Sequence, residues 1–532
     1  MNRIPYNARG EPAHNGALRL DTKDSPPLGD RRALIAVDLG AESCRVSLLR
    51  WMEDIPEITV VHRFSNAPVH EGDTLRWNIG CIFAGVEVGL RKCAEVATEG
   101  VASLGVDGWA VDYVRLDSNG NPVANPFCYR DERTLAARDA VHQRIPASRL
   151  YQLTGAQILP LNTLYQLWAD TESGIKQSAP WINLPEYVLY RLGAKQVSEF
   201  ANATHTGMLG VEDHKWNPEI FAAAGLDINA APPVVMTGSE IGRIQGPLAA
   251  LPAFRDTRLI APSCHDTASA IAGIPAQGDD WAFISSGTWS LVGCVLDSPH
   301  ISESARGKNF SNEGGVGGKT YFLKNVNGMW LLRQCMEEWQ AQGASWTLDT
   351  LFDACASVPV PDFLLDVDHR DLLLPGHMPA RINAQLTRAG YGAIPEQPAS
   401  APLVATLILH SLAARYAAVL QDVTSITGKT FTRLHIVGGG SKNVQLNRLT
   451  AKATGLAVIA GSAECATIGN FAVQLAALAG EYTERVGVAS RAVAQFAKLL
   501  AEKPFASLPD RESFAPQTER SDPRPETERL SG

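Results

Sequence analysis

The sequence lacks an apolar run of the length and purity that a bilayer helix needs. The nearest, PLVATLILHSLAARYAAVLQDV, carries His410, Arg415 and Gln421 and has the period of an amphipathic or buried helix, so no membrane segment is expected. Positive charge is not in excess either. A formal net charge of -9 argues against nucleic acid as a general partner, while leaving room for a small phosphate ligand at a local donor-rich site. The 9 cysteines form no C-x-x-C pair and read as reduced thiols of a cytoplasmic protein. No H-E-x-x-H or cysteine cluster suggests zinc, and no G-x-S-x-G suggests a serine hydrolase.

The nucleotide fingerprints are missing too. Gly428-Lys429-Thr430 ends like a P-loop, but Val423 stands where the leading glycine is required, and Gly318-Lys319-Thr320 fails in the same way with Glu313. No strand-linked G-x-G-x-x-G announces a dinucleotide site. If the chain binds ATP, another scaffold holds it.

What is present is α/β patterning over 532 residues, enough for two domains. ALIAVDLG, the turn GAES and CRVSLLRW read as a β-hairpin, followed by a third strand ITVVHRF and a helix from about Ile79 to Glu99. The pattern recurs as WAFISSGTWSLVGCVL, which suggests two related halves joined near residues 274–280. Residues 33–275 are expected to form one domain, with helices and loops inserted from about Pro122 to Arg255, and 276–485 the other. Residues 1–32, without the apolar core of a secretory signal, are expected to be a flexible leader, and 504–532 a disordered tail.

Three glycine-bearing turns follow apolar strands: Gly40 to Ser43, Ser285 to Thr288 and Gly438 to Ser441. Any one is most simply a tight turn, but three together can direct backbone N–H groups at phosphate oxygens. Asp38, ending the first strand, stands where one carboxylate could hold hydrated Mg²⁺, or is a surface turn residue. In RLIAPSCHDTASAIAGI, Asp266 either caps a helix or serves as a carboxylate at the bottom of a cleft.

Taken in order, AVDLGAESCRVSLL, GVDGWAVDY, NPFCYRDERT, LPLNTLYQL, SCHDTASAIAGIP, FISSGTWSLVG, SNEGG, LKNVNGMWLLRQ and LHIVGGGSKNVQLNRL resemble the FGGY carbohydrate kinases, most closely the rhamnulokinase group. The resemblance runs from about residue 34 to 480. It implies two ribonuclease-H-like domains of the actin, hexokinase and Hsp70 type flanking a cleft, and phosphorylation of a ketose with MgATP. L-rhamnulose is the expected sugar, with L-fuculose, or a regulator that binds ATP without turnover, as alternatives.

Position by position, the resemblance makes Asp266 the general base and puts Trp109, Ala110, His265, Thr267 and Asn325 at the sugar, with Asp112 as a further contact. Ala41, Glu42, Ser43, Cys44, Arg45 and Thr288 would face the phosphates, Arg333 and Gly439 the nucleotide, and Asp38 the magnesium. The helix start is expected to favour the carboxylate form of Asp266. The chain departs from the group at Gly108 and Ala110, where the usual order is Thr-Trp-Gly, which bears on the identity of the sugar. Glu42 and Cys44 replace Ser and Gly of a Ser-Ser-Gly-Arg turn, and Arg333 replaces a glutamine. The expectation is that Glu42 points outward, away from the phosphates.

Overall fold

The computed structural model describes residues 30–52, 55–373 and 376–501, with the backbone of two short strands at 5–6 and 505–507. Most of the expected leader and tail lies outside the described residues.

Ala33–Leu39 carries only buried side chains, and Ser43–Met52 returns antiparallel to it with Leu39 opposite Cys44. Such a fully buried strand, apolar but for Asp38, is stable only when both of its faces are covered. Ile55–Ser65 adds the third antiparallel strand, and Val101–Gly108 and Arg258–Ile260 extend the sheet in parallel on the other side. The second sheet repeats this plan. Trp281–Ser286, Trp289–Leu296 and Thr320–Asn327 form the antiparallel trio, and Arg433–Val437 and Ala457–Ala460 are the parallel strands. Each sheet has seven strands once edge pieces are counted. The expected α/β class with two ribonuclease-H-like sheets is therefore the class found.

The expected helix after the third strand runs over Ile79–Val96. It ends before Glu99 because the Ala97 N–H closes the last turn on Cys93 and the chain is drawn into the next strand, with Ala33 N–H bonded to the Gly100 carbonyl. Ala401–Thr427 is long and apolar enough to cross a membrane by length and composition alone, but 72% of its apolar window is buried inside the protein. Gly428, at φ 72°, ends that helix in a left-handed cap, so the glycine of the false P-loop is a helix stop.

Helix Cys465–Leu478 follows the second sheet in sequence but packs on the first. Gln474 Nε2 donates to the Ile35 carbonyl at 2.9 Å, Ser103 Oγ donates to Gln474 Oε1 at 2.6 Å, and Asn470 Nδ2 donates to Asp107 Oδ2 at 2.6 Å. It also crosses helix Asp266–Ala272 closely: a Cβ on Gly469 would stand 1.8 Å from the Ser269 carbonyl oxygen. At its start Cys465 packs in one cluster with Phe283 and Val437 of the second sheet, so this helix touches both sheets.

Candidate active site

A cavity of about 500 Å³ opens between the two sheets, lined from one side by the Gly40 turn, Trp109 and Asp266 and from the other by the Ser286 turn, Asn325 and Gly439. It lies past the carboxyl ends of the parallel strands, where open α/β sheets place their ligands. Its volume suits a small ligand.

The break in the apolar run around Asp266 has a structural reason. After Arg258–Ile260 the chain leaves the sheet. Its Cys264 N–H donates to Glu199 Oε2 at 2.9 Å, its Cys264 carbonyl accepts from Gly108 N–H, and Ser269 Oγ returns to the Ser263 carbonyl at 2.8 Å. Asp266 is then the first residue of a seven-residue helix whose cap is His265. The aspartate is therefore not the cap, and its side chain is left facing the cavity.

Its ionisation differs from the expectation. Burial, and then the nearby Asp38 charge, push Asp266 up to about 7, outweighing the bonds from the Thr267 hydroxyl and N–H. So short a helix contributes too little positive potential to reverse this.

The side expected to take the sugar is built around Trp109, which is buried and lies tilted against Trp77 with ring centroids 4.5 Å apart. Asp112 accepts from both indole N–H groups, at 2.6 Å from Trp77 and 2.9 Å from Trp109, from Tyr129 N–H at 3.2 Å and from Gln166 Nε2 at 3.0 Å. It has no exposed surface and does not line the cavity, so the expected sugar contact is replaced by a positioning role: Asp112 fixes Trp109. Between them, Ala110 and Val111 line the wall. Val111 has φ 71°, a strained value for a β-branched residue, held by bonds to its carbonyl from Thr163 Oγ1 at 2.7 Å and Gln166 Nε2 at 3.3 Å.

His265, Thr267 and Asn325 also line the cavity. His265 Nε2 is 3.4 Å from Asp266 Oδ1, and Asn325 Nδ2 donates at 2.8 Å to Gln157, which reaches across from the first half of the chain.

On the side expected to take the phosphates, the two hairpin turns and the third glycine turn line the same cavity. Gly438 needs its φ of 82°, and a Cβ there would meet the Ser286 carbonyl oxygen at 2.7 Å, so only glycine brings this turn onto the other. Ala41, Ser43, Thr288 and Gly439 line the cavity as expected. Cys44 does not: its side chain is fully buried, because alternation along the strand turns it into the core.

Glu42 does not point outward. Its Oε1 accepts from Thr288 Oγ1 at 3.0 Å and pairs with Arg333, which places the carboxylate across the cleft on two residues expected at the nucleotide. The reason is charge: Arg333, whose guanidinium lies 4.9 Å over the Trp330 ring, offers the carboxylate a partner on the facing wall.

Asp38 is buried and its Oδ2 accepts from Arg45 at 2.8 Å, while Arg45 Nε meets Glu464 at 3.1 Å. Asp107 stands directly beside it on the parallel strand, and its Oδ1 is a buried atom without a hydrogen-bond partner. One carboxylate at the cavity wall with a second behind it, one oxygen unsatisfied, fits a hydrated Mg²⁺.

Four functional candidates are absent from the sequence reading: Gln157, His205 and Glu313, which line the cavity, and Asp107 behind it. Glu313 lies in SNEGG, one of the stretches that carried the resemblance, which gave it no role there. Gln157 and His205 carry no local signal, because each is brought in by a loop from the inserted segment.

Comparison with known proteins agrees with this geometry. The model of the FGGY family of carbohydrate kinases, N-terminal domain, matches residues 33–273, and that of the C-terminal domain matches 282–478. Among solved structures, a ligand-bound xylulose kinase from Lactobacillus acidophilus is similar with a TM-score of 0.68 and 16% identity, covering 88% of this chain and 96% of that one. A gluconate kinase from the same organism gives 0.67 and 15%, covering 88% and 96%. A glycerol kinase from Plasmodium falciparum with ADP gives 0.67 and 13%, covering 89% and 94%. At these identities the likeness speaks for the fold.

Proposed function

Since the chain belongs to the FGGY family of carbohydrate kinases, which phosphorylate sugars with ATP, we propose that its acceptor is a ketose, L-rhamnulose first, converted to L-rhamnulose 1-phosphate and ADP. The observation that carries this reading is Asp266, a carboxyl titrating near neutrality on the wall between the sugar and phosphate sides.

In the reaction the C1 oxygen of the sugar forms a bond to the γ-phosphorus, the bond from that phosphorus to the bridging oxygen breaks, and ADP leaves. Asp266 takes the C1 hydroxyl proton. Transfer through a loose transition state asks mainly for alignment and charge stabilisation, so a base of this strength suffices. Trp109, held by Asp112, offers a flat apolar face, and His265, Thr267 and Asn325 offer polar partners for the hydroxyls. Each hydroxyl left unpaired would cost about 1–3 kcal/mol.

The glycine turns supply backbone donors for the phosphates, with Arg45, Thr288 and Arg333 on their flanks. Asp38 would hold a hydrated magnesium ion, which would supply charge neutralisation on ATP. We read the enzyme as cytoplasmic, because none of its nine cysteines, all among the described residues, forms a disulfide.

The test is ADP release with MgATP over L-rhamnulose, L-fuculose, D-xylulose and glycerol. L-rhamnulose should give the highest kcat/KM. Preference for another sugar would move the substrate while keeping the reaction. The Glu42 clasp on Thr288 and Arg333 favours a second reading, a nucleotide-binding regulator, and ATP binding without ADP release on any sugar would select it.

A further inference from the structure

Beside Asp266, His265 meets two side chains that the phosphoryl transfer does not use, His205 and Glu313. Glu313, on strand Ser311–Gly314 of the second half, has its carboxylate 3.0 Å from His205 Nε2 and 3.9 Å from His265 Nδ1. One ligand atom from each residue lies within 4.8 Å of the others, and the imidazole rings are 4.0 Å apart.

Glu313 is 2% exposed and His265 6%. His205 Nε2, His265 Nδ1 and both oxygens of Glu313 are buried without a well-formed hydrogen bond. Native interiors seldom leave even one such atom unpaired, because each costs about 1–3 kcal/mol. A proton on His205 would satisfy one carboxylate oxygen and leave the other and His265 Nδ1 unmatched. With the other nitrogen of His265 turned to Asp266, its Nδ1 presents a lone pair to the carboxylate, and two acceptors facing each other call for a cation.

We propose that His205, His265 and Glu313 form a binding site for a zinc-class divalent cation. Two imidazoles and one carboxylate are a familiar zinc donor set, and tetrahedral ligation at about 2.0–2.1 Å spaces ligand atoms about 3.3 Å apart, within the range seen here. All three residues line the cavity, so a fourth position is open to water.

The frame is rigid. Gly314 N–H donates at 3.0 Å to Thr204 Oγ1, next to His205, and Gly108 pairs with His265 at the end of its strand. The ion joins the two halves of the chain, since His205 and His265 come before the junction near 274, His205 from the end of helix Phe200–Thr204 and His265 from beside the first sheet, while Glu313 lies on a strand of the second sheet. Its nitrogen ligands set it apart from the all-oxygen Mg²⁺ of MgATP. The site forms without substrate, so it stands or falls separately from the choice of sugar.

The experiment is titration of the chelator-treated full chain with Zn²⁺ from a competing chelator, with X-ray absorption on the loaded protein. One ion per chain, about two nitrogen ligands and one carboxylate oxygen, a raised Tm, and no displacement by millimolar Mg²⁺ are expected. Glu313→Gln and His205→Asn should each weaken binding at least tenfold. Absence of 1:1 binding, an all-oxygen or sulfur shell, or unchanged binding in both variants would overturn the proposal. ADP release by zinc-free protein keeps the outcomes apart: turnover without zinc binding removes the metal site alone, and zinc binding without turnover removes the ketose kinase reading alone.

Discussion

Asp266 is asked to be ionised enough to accept a proton and basic enough to hold it. A carboxyl at about 7 meets both demands. Because the folded value is raised, Asp266 is increasingly protonated as pH falls, so kcat/KM should drop about tenfold per unit below pH 7. A profile flat down to pH 5 would contradict this.

Glu42 should act in the opposite sense on the nucleotide. Glu42→Gln frees Arg333 and Thr288, and because the carboxylate is half exposed the gain is small: the KM for MgATP should fall about two- to fivefold. An unchanged or raised KM would show that the clasp does not compete with ATP. At this scale the sequence was legible where residues sit in patterned turns, as for Asp266, Thr288 and Gly439. It was not legible where a partner decides the direction of a side chain. Glu42 turns inward because Arg333 faces it, and Asp112 turns to two indoles rather than to the sugar.

At the scale of elements, the helix that begins at Asp266 depends on its neighbours. Gly469→Ala would drive a methyl into the Ser269 carbonyl, and a loss of about 1–3 kcal/mol in denaturant unfolding is expected. Wild-type stability would show that the crossing can yield.

A second support lies under the helix start. Glu186 is pushed up to about 8 and Glu199 to about 7, by burial first, and Glu199 holds the Cys264 N–H that precedes the helix. These carboxyls keep protons in the folded chain after the unfolded chain, near 4.5, has lost them. Their contribution to stability is therefore full below about 4.5 and lost as pH rises towards 8. Glu186→Gln should flatten the fall of Tm between pH 5 and 8; an equal fall in both proteins would assign it elsewhere. Strands and long helices announced themselves by period, and the hairpins and the helix at 79 stand within a few residues of expectation. This buried network could not be read, because its members are scattered from 183 to 264 and meet only in three dimensions.

At the scale of the molecule, two sheets of the same plan face a common cavity, and the repeated hairpin made that plan visible in the sequence. The return of helix Cys465–Leu478 to the first sheet was hidden, since an apolar helix does not encode which sheet it covers. With the proposed base Asp266 on one wall of the cavity and Thr288 and Gly439 on the other, the proposed reaction requires sugar and nucleotide together. The most direct measurement is ADP release from MgATP by wild type and Asp266→Asn, with and without L-rhamnulose. Sugar-dependent turnover that falls about 10²–10⁴-fold in the variant, with ATP binding retained, is the predicted result. Equal turnover in the two proteins, or ATP hydrolysis indifferent to the sugar, would contradict the account.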